Sequence, residues 1–267
     1  MTKFDLPLKA YADEQEFQGK LVAGVSLSRV LDQFSVIHSL ENKYPGSIKE
    51  LHSRFGLRRF SRYPAWVLEK QYLERDEVEK PCGVFMSGME DAGNVFASEN
   101  DRVVVESTTR QLQELGCAVR FIECNGKQEM FDYFKLLDSS YGTYQKIPFW
   151  FIRSHAGRWD WELGANDDDG HVNEHDFAKE DFKKMRDYFS DQPTIIFDGC
   201  SLGRKGGIAQ KTSEFFDAEV LAPKGMQSAL TSIAISKQND RLIFRPLYDV
   251  DREKEVAPHV YLRGRKR

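Results

Sequence analysis

The sequence predicts an α/β fold: a mostly parallel sheet flanked by helices, preceded by a helical N-terminal extension. Three observations carry this. From Cys82 onward, short apolar runs alternate with amphipathic helical stretches. Those runs are nearly continuous in apolar residues, as strands covered on both faces are. Ahead of Pro81 the apolar residues recur at helical spacing, with no strand pattern. The boundary falls there, giving an extension over 1–80 and an α/β domain over 81–267.

In the extension, Leu27, Val30, Leu31, Phe34, Ile37 and Leu40 lie on one helical face behind a serine cap signal. Pro45-Gly46-Ser47 ends that helix. SIKELHSRFG starts a second, and RYPAWVLEKQYLERDE a third, with Pro64 near its first turn. These helices carry Phe34, Ile37, Trp66 and Leu68, which need burial against the following domain. In that domain CGVFMSG is a strand, RVVVESTTRQLQELG a helix closed by Gly116, and AVRFIEC the next strand. KQEMFDYFKLLDSSYG is a helix and IPFWFIRSH a strongly apolar strand. GRWDWELG alternates like a hairpin arm. EHDFAKEDFKKMRDYF reads as a helix, PTIIFDGC as a strand, IAQKTSEFFD as a helix and AEVLAP as a strand. LIFRPLYDV and HVYLRG supply late strands, and RGRKR reads as a frayed basic tail.

Composition narrows the function. The chain has 267 residues, 40% hydrophobic and 30% charged, as in ordinary globular domains. A net charge of -4 argues against a dedicated nucleic-acid binder. No run of about eighteen apolar residues could span a membrane. The first residues hold acids and no apolar core, so no Sec signal is read and a cytoplasmic location is expected, non-classical secretion staying open. No CxxC pair exists among Cys82, Cys117, Cys124 and Cys200, so no structural zinc site is expected; no cofactor is expected either, with calcium a weak alternative. The first three cysteines sit among apolar residues and read as packed hydrophobes.

Cys200 differs. It stands at the end of an apolar strand, in Asp198-Gly199-Cys200-Ser201, where substrates meet an α/β sheet. The strand IPFWFIR delivers His155 in the same way. A thiol and an imidazole at one sheet edge are what acyl transfer requires: a nucleophile and a proton carrier for the leaving amine. Backbone N–H groups at Gly157 and Cys200 are the candidate oxyanion donors.

The element order, the strand ending in His-(small)-Gly and the later strand ending in Asp-x-Cys-Ser-x-Gly resemble the caspase-like cysteine peptidases. That group holds caspases, metacaspases, gingipains, separases and CHAT proteases. The resemblance covers roughly residues 82–235. It implies a cysteine endopeptidase acting on a protein or peptide substrate through a His155–Cys200 dyad. It also implies substrate-binding roles for Asp198 and Ser201, because Asp198 matches the metacaspase acid that helps bind a basic P1 side chain. GCSLG is similar to the Gly-Cys-Ser-Ser-Gly run of separases. Two positions depart from the pattern. Ala156 separates His155 from Gly157, where the family has Gly directly after His, and Leu202 stands where a small residue is common, which implies a narrower pocket.

Other readings stay open. An inactive pseudopeptidase would use the same fold for binding. A Rossmann-like nucleotide binder is disfavoured, since GVFMSGMEDAG fails the GxGxxG spacing. Residues 165–176 invite a calcium reading, but Ala165 holds the first ligand position and Asp176 replaces the bidentate Glu, so a solvated polar loop is expected. His171 and His175 lack the Glu of HExxH. GRKGG at 203–207 has no P-loop spacing and reads as a turn into a helix. Arg54, Arg58, Arg59 and Arg62 read as a solvated face.

Overall fold

The computed structural model describes residues 27–89, 99–141, 146–164, 169–223, 225, 228–250 and 253–266. The chain begins with helices α1 (Leu27–Lys43), α2 (Ser47–Phe55) and α3 (Ala65–Leu73), with a 3-10 turn at Phe60–Arg62 before the third. Strand β1 (Cys82–Gly88), α4 (Glu99–Glu114), β2 (Ala118–Cys124), α5 (Lys127–Tyr141) and β3 (Ile147–Arg153) follow. A short hairpin of β4 (Asp160–Glu162) and β5 (His171–Asn173) leads to α6 (Glu180–Arg186), β6 (Phe189–Asp198), α7 (Ile208–Phe216) and β7 (Glu219–Ala222). The chain ends in β8 (Ser228–Gln238), β9 (Arg241–Val250), β10 (Glu253–Val256), β11 (His259–Leu262) and β12 (Arg265–Lys266).

The main sheet has seven strands in the order β12-β11-β7-β6-β3-β1-β2. The five from β2 to β7 run parallel, β11 pairs antiparallel with β7, and β12 pairs antiparallel with β11 at the edge. The expected mostly parallel α/β fold is therefore what the chain adopts. The step from β1 to β2 runs one way and the step from β2 to β3 runs back. Right-handed crossovers then put α4 and α5 on opposite faces. Ring contacts agree: Trp150 packs on Phe134 of α5 and Phe216 of α7, while Phe149 meets Phe244 of β9. The Phe149 ring of β3 lies over Gly83 of β1, so that a Cβ there would fall 1.6 Å from it.

LIFRPLYDV is a late strand as expected, in a second antiparallel sheet of order β10-β9-β8. Three details differ from the sequence reading. The helix expected over 174–189 is shorter: Lys179 is extended, splitting a 3-10 turn at Asp176–Ala178 from α6, and Phe189 already belongs to β6. The basic tail is held, with β12 paired to β11 and Arg263 ion-paired to Asp217 at 2.8 Å. Phe34 is not buried, being 37% exposed.

The N-terminal helices share one hydrophobic core with the sheet: Ile37, Leu40, Leu51, Phe55, Leu57 and Leu68 cluster with Phe85, Phe121 and Phe151. The arginines of this region do not form a solvated face. Arg59 and Arg62 are buried, Arg58 pairs with Glu129 at 2.7 Å and Arg54 with Asp76 at 2.8 Å.

Candidate active site

The strand register builds a row of polar residues at the C-terminal edge of the parallel sheet. Ser87 of β1 pairs in register with Glu123 of β2 and with Arg153 of β3, and Arg153 pairs with Asp198 of β6. All four are buried. Burying charges is costly unless they are partnered, and here they are. Arg153 Nε donates to Asp198 Oδ2 at 3.1 Å, and the Leu230 N–H at the start of β8 donates to Asp198 Oδ1 at 3.1 Å. Arg153 also lies 3.5 Å from Asp101 of α4. Burial pushes the Asp198 carboxyl above the usual range, against the pull of the Arg153 guanidinium.

His155 and Cys200 each follow this paired couple by two residues, so the register brings the two strand ends side by side. The Ser154 N–H donates to the Asp198 carbonyl at 3.2 Å. A Cβ at Gly199 would meet the Ser154 carbonyl at 2.5 Å and the Ala156 Cβ at 3.1 Å, the residues on either side of His155. Only glycine permits that approach, which explains its place directly before the thiol. Ser201, directly after it, has a left-handed backbone with φ 59°, uncommon for a residue with a side chain, and its N–H donates to the Gly225 carbonyl at 2.8 Å. The chain thus turns sharply through Cys200. Cys200 is partly exposed, whereas Cys82, Cys117 and Cys124 are buried, and burial pushes their thiols up.

Three expected roles change. Asp198 is no open pocket acid, since Arg153 and the Leu230 amide take its two oxygens and the carboxylate is fully enclosed. Gly157 is no ready oxyanion donor. Its N–H donates to the Asp160 carbonyl at 3.0 Å, closing the turn that the inserted Ala156 opens by pairing with Trp161. The Cys200 N–H has no acceptor among the described residues. Leu202 narrows no pocket; it is buried and packs against Gly199. Ser201 remains beside the thiol with its amide engaged.

The acids of the polar loop are taken by protein groups where they are described. The Asp169 carboxylate accepts the Gln128 N–H at the start of α5 at 3.2 Å, while its backbone carbonyl accepts the Lys127 N–H at 2.9 Å. Asp176 accepts from Lys127, Lys179 and the Asn173 N–H. Residues 165–168 lie outside the described residues. Among the described residues no cluster of three or more His, Cys, Asp or Glu could hold a metal ion. No described helix is long and apolar enough to cross a membrane.

Sequence reasoning missed Arg153, Asp101 and Glu123. The signal was there in the strand endings FIR, FIE, FMS and IFD, each two apolar residues followed by a polar one. A cavity of about 530 Å³ opens at the opposite end of the strands, lined by Pro81, Cys117, Pro148, Thr194 and Leu242, away from the polar row. No protein-family model matches this chain, and no curated protein sequence matches it.

Proposed function

We propose that the chain is a cysteine endopeptidase of the caspase-like fold, with Cys200 as nucleophile and His155 as general acid and base. The observation that supports this most is the register of β3 and β6, which sets both reactive residues two positions beyond one buried ion pair. In this reading Cys200 gives its proton to His155, and the sulfur attacks the peptide carbonyl carbon. The Cys200 N–H steadies the oxygen as it gains charge. The C–N bond then breaks, and His155 passes its proton to the leaving amine. Water attacks the thioester with His155 as base, releasing the acid and restoring the thiol.

Because Asp198 is occupied, a preference for a basic P1 residue has no acid to rest on. A second reading, a pseudopeptidase that binds without turnover, is favoured by the engaged Gly157 amide. A peptide acyloxymethyl ketone separates the two. The peptidase reading expects an adduct on Cys200 seen by mass spectrometry, lost in Cys200→Ala and formed about 10²- to 10⁴-fold more slowly in His155→Ala. No adduct and no peptide hydrolysis would leave the binding module.

A further inference from the structure

The two loops that carry His155 and Cys200 onward from the sheet are clasped together and share an unusual charge. The first is the turn between Ala156 and Trp161, and the second is the glycine-rich stretch 203–207. Arg158 joins them: its guanidinium donates to the Lys205 carbonyl at 2.6 Å, and its own carbonyl accepts the Ile208 N–H at 2.8 Å. A Cβ at Gly207 would lie 2.5 Å from that carbonyl, so the glycine allows the second loop to sit against the first.

This clasp gathers Arg158, Arg204 and Lys205. None of the three has a carboxylate partner among the described residues. Neighbouring cations do pair: Lys211 with Glu174 and Glu214, Arg263 with Asp217, Lys127 with Asp176. The nearest acid of the first loop, Asp160, is held by His171 at 3.1 Å. Beside the cations stands Trp159, 55% exposed, with the Arg158 guanidinium stacked 4.5 Å from its ring centre. A large exposed aromatic fixed in place by a stacked cation is a plate on which a peptide can lie.

We infer that Arg158, Trp159, Arg204 and Lys205 form a recognition rim for an acidic segment of a peptide substrate, lying to one side of the bond at Cys200. The inference rests on the peptidase reading for the location of the cleft, and it deepens that reading by assigning the substrate class. Unpaired cations at a cleft mouth steer anionic partners and raise their capture, an effect that salt screens. Three cations on two short loops fit a few carboxylates. A nucleic acid asks for a longer basic face, which a chain of net charge -4 is less suited to offer.

The test uses the full chain. Cys200→Ala, which binds without turning over, is titrated with a fluorescent peptide containing a Glu-rich stretch and with its twin carrying Gln for Glu. The rim expects the acidic peptide to bind about tenfold more tightly at low ionic strength, with the difference largely erased in 0.5 M salt. Adding Arg204→Gln and Lys205→Gln should remove the discrimination. Equal binding of the twins, or discrimination that survives both substitutions, overturns the rim whether or not the wild-type chain cleaves. Tighter binding of an RNA oligonucleotide of equal charge also overturns it, in favour of a polyanion site. Acidic preference without cleavage by the wild-type chain keeps the rim and removes the peptidase reading.

Discussion

The residue that organises the candidate site is Arg153, although it carries no chemistry in the proposed reaction. Its guanidinium lies in the buried row between Asp198 and Asp101, tying β3 to β6 and to α4. Removing one partner of a buried pair leaves the other charge without compensation, which costs about 3–5 kcal/mol. Arg153→Met should therefore be strongly destabilising. The double variant Arg153→Met with Asp198→Asn should cost less than the two single changes added together, because the second change removes the stranded charge. Urea unfolding of the four proteins measures this. Costs that simply add would show that the two side chains do not depend on each other. The left-handed Ser201 and the close approach at Gly199 act on the same scale: they turn the chain where the thiol must leave the sheet.

At the scale of elements, the Phe149 ring of β3 fills the space over Gly83 of β1, leaving no room for a methyl group. Gly83→Ala should push the Phe149 ring aside or part the strands, costing about 1–3 kcal/mol as overpacking does. Phe149→Leu in the same chain should recover part of the loss, read as a shift in the thermal midpoint. No loss in Gly83→Ala would mean that β3 moves freely against β1. The strands β1, β2, β3, β6 and β7 were legible because each holds a short, nearly unbroken apolar run between glycine or helix signals, whereas β5 is the three-residue HVN inside the stretch expected to be a polar loop. The ends of the helix over 174–189 were not legible, since Lys179, whose side chain pairs with Asp176, takes the extended backbone of an N-cap and no cap residue type marks it in the sequence. β8 was not read at all. SALTSIAISKQ alternates weakly, and its backbone is fixed by distant groups: Gln111 of α4, which bonds Ile233 and Ile235, and Asp198, which accepts the Leu230 N–H. In the site, the thiol and imidazole were legible as strand endings. The partners that change the role of Asp198 and Gly157 were not, because strand register and a turn hydrogen bond are decided across the sheet.

At the scale of the whole molecule, Glu123 joins the N-terminal region to the sheet. It sits on β2, fully buried, and accepts the N–H groups of Arg58 at 2.6 Å and Arg59 at 3.1 Å and the Tyr63 hydroxyl at 3.1 Å. The N-terminal helices and the sheet share one core, so they should unfold in one transition. Burial raises the Glu123 carboxyl above its ordinary range, with the nearby arginines and the donated hydrogen bonds opposing it. For an acid whose folded pKa is raised, the folded state holds the proton more tightly than the unfolded chain does. Its contribution to stability is then fully present below the ordinary carboxylate range, near pH 4, and is lost as pH rises through the folded value. Glu69, Glu74, Glu106 and Asp176 are shifted downward and act in the opposite sense, so the wild-type curve alone does not isolate Glu123. The difference between wild type and Glu123→Gln does isolate it. Glutamine keeps its amide oxygen on the N–H groups of Arg58 and Arg59 and turns its NH2 toward the Tyr63 hydroxyl, which must then accept where it donated, a pH-independent cost of about 1–3 kcal/mol. On top of that fixed cost, the advantage of the wild type should be greatest at low pH and should shrink as pH rises above about 4. Urea unfolding across that range, followed by far-ultraviolet circular dichroism and by the tryptophans on both sides of the join, Trp66 and Trp150, measures both claims. A difference that does not change with pH, or an N-terminal signal that melts apart from the sheet, would show that Glu123 does not hold the two regions as one unit.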